Sequence, residues 1–127
     1  MKISLFLFLF LLAFSVSLRA QEPVLTGLIF DQTKTKAGRD FYEAFSLSFE
    51  FPSGMEDKNI VIAELTDPRW GSQLQIYVED ILVYATMLKP RLEDIEEKVD
   101  EAINAVLRYF IWQAEKERAL QEELKFF

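Results

Sequence analysis

Neither cysteine nor histidine occurs among the 127 residues, and glycine and proline number only four each. Without cysteine there is no disulfide framework, no thiolate nucleophile and no zinc–thiolate site. Without histidine the commonest general base and the commonest metal ligand are both missing. No glycine-rich phosphate loop is present. Positive charge is short as well: 14 Lys and Arg against 21 Asp and Glu leave a net charge of −7. A chain this acidic repels a phosphate backbone, which argues against nucleic acid as a partner. What is abundant is apolar: 50% of the residues are hydrophobic, too many for a disordered chain. The length fits one domain.

A large share of that apolar content sits at the start. Met1-Lys2 gives a short positive opening, Ile3 to Phe14 is almost wholly apolar, and Ser15, Ser17 and Leu18-Arg19-Ala20 follow. This is the order of a secretory signal peptide, with cleavage expected between Ala20 and Gln21. The run is interrupted before the ~20 apolar residues that a membrane-spanning helix needs, although an uncleaved anchor is the alternative reading. Residues 1–20 hold two bases, Lys2 and Arg19, and no acid, so their removal takes the net charge from −7 to −9. The expected organisation is a signal peptide at 1–20, a domain at 21–114 and a charged extension at 115–127. The expected compartment is the periplasm.

Along the remaining chain, residues 24–30 suit a short strand and 31–36 a polar loop. Phe41, Phe45 and Phe49 recur at helical spacing, predicting a helix from about Ala37 to Phe49, ended by Pro52-Ser53-Gly54. Residues 59–66 read as a strand and Asp67-Pro68 as a turn. Residues 72–79 alternate, with Leu74, Ile76 and Val78 on one side and Gln73, Gln75 and Tyr77 on the other. Glu79-Asp80 forms a tight turn without the usual glycine. Residues 81–88 form a strand apolar on both faces, Ile81, Val83, Ala85 and Met87 against Leu82, Tyr84, Thr86 and Leu88, which predicts cover on both sides. Pro90 opens a long helix whose stripe Leu92, Ile95, Val99, Ala102, Ile103, Val106 and Phe110 fails after Ala114. The order β-α-β-β-β-α gives an α+β fold, a small antiparallel sheet packed by two helices.

Chemistry-bearing patterns are weak. The acidic run Glu93, Asp94, Glu96, Glu97, Asp100 and Glu101 lies on a helix flank, where a solvated face is the plainer reading than a Ca²⁺ or Mg²⁺ site, because metal carboxylates must converge. Glu64 and Asp67 could act as a hydrolase pair, but nothing sets their separation. No catalytic residue, metal ligand or cofactor site is assigned. Two apolar surfaces stand out instead: Tyr84 with its strand, and Trp112 with Ile111, off the core stripe of the last helix. Either could serve self-association, or each could simply cover its own neighbouring element. Arg69-Trp70-Gly71-Ser72 opens a strand straight after a turn, where Gly71 would let another backbone approach closely.

On Asp31, Thr33, Gly38, Asp40-Phe41-Tyr42, Phe45, Asn59, Glu64, Arg69-Trp70-Gly71-Ser72, Val78, Pro90 and Ala102, the chain resembles the CsgE family of curli secretion factors. The match runs from about Gly27 to Ala105; the last helix is longer and more charged than the family's tail. The resemblance implies a non-enzymatic periplasmic adaptor without cofactors. Its implied partners are the outer-membrane curli secretion channel, which it would cap as a homo-oligomeric ring, and the curli subunits, which it would direct to the pore and hold back from premature fibre formation. Arg69, Trp70, Tyr84 and Trp112 are the candidate partner or assembly contacts. The competing class is a small periplasmic ligand-binding domain unrelated to secretion.

Overall fold

In the computed structural model, residues 27–126 are described. The chain runs β1 (Ile29–Gln32), α1 (Lys36–Ser48), β2 (Ile60–Asp67), β3 (Gly71–Val78), β4 (Ile81–Leu88) and α2 (Leu92–Leu124). The four strands lie in sequence order in one sheet. β2, β3 and β4 form the expected antiparallel meander, while β1 pairs with β2 in parallel. A parallel neighbour is possible there because α1 carries the chain back across the sheet between them. The first strand reaches later than the 24–30 expectation: Asp31 and Gln32 belong to it, and residues 24–26 lie outside the described residues.

Both helices pack on one face of the sheet. Ile60 and Ile62 of β2, Leu74, Ile76 and Val78 of β3, and Leu88 of β4 meet Phe41, Phe45 and Phe49 from α1 and its cap, and Ile95, Val99, Ala102, Val106 and Phe110 from α2. The α1 phenylalanines stack along the helix with ring centroids 6.2 and 5.2 Å apart. Leu92, counted with the α2 stripe by its spacing, is exposed, because the helix begins there, at its periphery.

The other face of the sheet is uncovered among the described residues, contrary to the two-sided cover expected for β4. The faces of β4 also differ from a simple alternation. The register slips between Ile76, opposite Tyr84, and Tyr77, opposite Leu82, so Val83 is an extra residue. This bulge separates Leu82 from Tyr84, Thr86 and Leu88 and sets it with Ala85 and Met87 on the open face. α2 continues without a break to Leu124, yet every residue from Glu115 to Phe126 is exposed. None of the described helices is long and apolar enough to cross a membrane.

Candidate functional site

The β2–β3 hairpin is built by short-range chemistry. The Asp67 carboxylate accepts the Arg69 N–H at 2.7 Å. Gly71 holds φ at +86°, a left-handed value that a side chain would strain, while nothing lies within 4 Å of where its Cβ would be. Its glycine therefore serves the turn and not a close backbone approach. The consequence is a projecting Trp70, 75% exposed. Trp70 shares an open groove of about 350 Å³ with Leu65, Thr66, Asp67, Gly71, Gln73 and Met87. Leu65 and Met87 are themselves 52% and 45% exposed, so the indole stands at one end of a partly apolar surface. Arg69 is exposed beside it and makes no ion pair among the described residues.

That surface continues over the open face of the sheet as an uncharged strip. The Tyr77 hydroxyl donates to Gln75 Oε1 at 2.8 Å, and the Gln75 amide donates to Gln73 Oε1 at 3.2 Å. Val61, Ala63 and Leu65 of β2 lie beside these residues across the strand pair. Leu65, Gln73 and Met87 were not identified from sequence. Only the alternation of β3, which separates its glutamines from its aliphatic side, pointed toward them.

The other candidates lie elsewhere. The Tyr84 hydroxyl donates to Glu101 Oε2 of α2 at 2.9 Å. Burial first, then the bond to Glu101 and the negative charges of Glu101 and Asp94, push this phenol up to about 12. Trp112 lies on α2 with its ring centroid 6.0 Å from that of Tyr109, and the Lys116 ammonium sits 5.2 Å from its ring centre. It borders a groove with Ile81 and Leu120, at the β3–β4 end of the sheet, opposite the end that carries Trp70. Arg69 and Trp70 thus form one locus, Trp112 a second, and Tyr84 a contact within the fold. Ala20 and Gln21 lie outside the described residues.

Several residues that carry the resemblance prove to hold α1 in place. Glu64, only 1% exposed, accepts the backbone N–H of Lys34 at 2.7 Å and of Thr35 at 2.8 Å, and the Thr35 hydroxyl at 2.6 Å. Thr35 in turn caps α1 by accepting the Gly38 N–H at 3.0 Å. A Cβ on Gly38 would overlap Glu64 Oε1 and approach its Cδ to 2.8 Å. Burial alone would push this carboxyl up. The bonds from Thr35 and Lys34, helped by the nearby Ser72 side chain, outweigh it and hold it below its ordinary value. Alongside, Asp31 accepts the Thr33 N–H at 2.9 Å and pairs with Arg39 at 3.4 Å. Glu64 is therefore occupied and buried, while Asp67 caps an exposed turn. The two do not face one cleft.

The chain matches the family described as Curli assembly protein CsgE over residues 25–126. It is 35% identical over 95 residues to the curli production assembly/transport component CsgE of Escherichia coli O6:H1, covering 69% of this chain and 71% of that protein, with the same values for Escherichia coli O157:H7. The component of the same description from Salmonella typhi is 33% identical over 90 residues, covering 65% of this chain and 66% of that protein. With a family match that spans every described residue, from β1 through α2, the chain belongs to the CsgE family of curli assembly proteins.

Proposed function

We propose that this chain is a non-enzymatic adaptor of curli secretion. It is exported after cleavage between Ala20 and Gln21 and acts in the periplasm as a domain of residues 21–114 with an extension at 115–127. Several copies together cap the periplasmic side of the outer-membrane curli channel, direct curli subunits into it and restrain premature fibre formation. Family membership supports the curli role, and the observation that carries the contact assignment is Trp70, held out beside Arg69, Leu65 and Met87 by a turn that only glycine suits. Large exposed aromatics next to an arginine are the residue types that dominate protein contacts.

The adaptor works by enclosure. An unfolded subunit confined beneath a cap loses conformational entropy, and exit through the pore relieves that loss. This drives transport in one direction without a nucleotide. Deleting the chain should lower extracellular curli subunit, and intact mass of the periplasmic protein should correspond to a chain beginning at Gln21. Normal secretion in the deletion strain, or recovery of the chain only in the cytoplasm, would contradict the reading.

A further inference from the structure

Among the described residues β4 ends the sheet, and its outer backbone edge has no strand beside it. Proteins ordinarily protect such an edge with short length, inward charge, lysine or proline. The opposite edge conforms, since β1 has four residues and one is Asp31. β4 does not: its eight residues, Ile-Leu-Val-Tyr-Ala-Thr-Met-Leu, include no charge and no proline, and a single bulge is its only irregularity. Charges gather at its two ends with opposite sign. Glu79 and Asp80 precede it; Lys89 and Arg91 follow it. None of the four makes an ion pair among the described residues. Glu79 is engaged only by the Asn59 N–H, at 2.7 Å.

A strand that is acidic at its start, neutral in its middle and basic at its end complements itself when reversed. We propose that β4 pairs antiparallel with β4 of a second copy across a two-fold axis, making one continuous eight-stranded sheet. Asp80 and Glu79 of each copy then meet Lys89 and Arg91 of the other, at both ends of the contact. A foreign strand would need this charge order by coincidence; a second copy carries it by symmetry. A two-fold contact cannot close a ring by itself, so this edge is separate from any head-to-tail contact within a cap. The inference deepens the proposed function and rests on it only in that copies associate. Sedimentation scores the edge and secretion scores the role, so the two can fail independently.

The test uses two variants of the purified protein, Asp80→Lys and the double variant Lys89→Glu/Arg91→Glu, with thermal unfolding measured beside sedimentation over a concentration series. The double variant alone places like charges together at both ends, and Asp80→Lys sets the introduced lysine against Lys89 and Arg91; in each case the self-dissociation constant should rise at least about tenfold over the unsubstituted protein. Mixed in equal amounts, the two should associate better than either alone, because one end keeps its native opposite-charge pairing and at the other the introduced lysine faces the introduced glutamates. Recovery on mixing cannot come from a damaged fold. If reversal lowers the melting temperature, Lys89→Gln/Arg91→Gln is read instead, and weaker association is again expected. A monomer at all concentrations, variants that associate undiminished, or a mixture no better than its components would overturn the proposal.

Discussion

Glu64 shows how much one side chain can fix. Its carboxylate takes three bonds from Lys34 and Thr35 and so anchors the start of α1 to β2. Glu64→Gln should cost about 1.5–3 kcal/mol, the range for bonds to a charged acceptor, and Gly38→Ala about 1–3 kcal/mol through overlap. The pH dependence has a definite sign. A carboxyl held below its ordinary value of 4.5 stabilises the fold fully above that value and loses the contribution as pH falls through the folded-state value. Asp31, lowered by its bonds to Thr33 and by Arg39 against an opposing effect of burial, adds to the same acid limb. Chemical unfolding of the unsubstituted protein and of Glu64→Gln between neutral pH and pH 3 should show a shallower acid loss in the variant; parallel curves would contradict the assignment. Sequence alone offered Glu64 as half of a catalytic pair. Nothing local reveals that it is buried, because its donors lie about thirty residues away. At the far hairpin, Asp80 holds φ at 68°. Asp80→Gly should raise stability by about 0.5–1 kcal/mol by relieving left-handed strain, read as a higher melting temperature.

At the scale of elements, periodicity was the most legible signal. The Phe41-Phe45-Phe49 spacing and the alternation of 72–79 place α1 and β3 within a residue of their observed bounds. Phe41 is fully buried, and Phe41→Ala should cost about 3–5 kcal/mol in unfolding experiments. β4 was legible as a strand but not in its facing, since a bulge depends on its partner's register and leaves no mark in apolar spacing. The parallel β1–β2 pairing was equally hidden, because local patterns do not state which edge a strand joins. The α2 stripe fails after Ala114, and the helix runs on ten residues further with no buried position beyond Phe110. Ending the chain after Ala114 should therefore leave the melting temperature within a few degrees; a large drop would mean that the extension packs against something in solution.

At the scale of the whole molecule, among the described residues, the helices close one side of the sheet and leave the other side, both edges and the Trp70 hairpin uncovered. The residues that carry the resemblance divide along this line. Asp31, Thr33, Gly38 and Glu64 secure the start of α1, while Arg69 and Trp70 are exposed and contribute little burial. Sequence reading recognised the Arg-Trp-Gly-Ser block but could not divide it, since only the turn geometry separates the outward indole from the inward hydroxyl. The most direct test of the adaptor reading is curli subunit secretion in a strain whose only copy of this chain carries Trp70→Ala, with thermal unfolding of the same variant. Loss of secretion with a melting temperature within a few degrees of the unsubstituted protein is the predicted result; undiminished secretion, or loss of secretion and fold together, would contradict it.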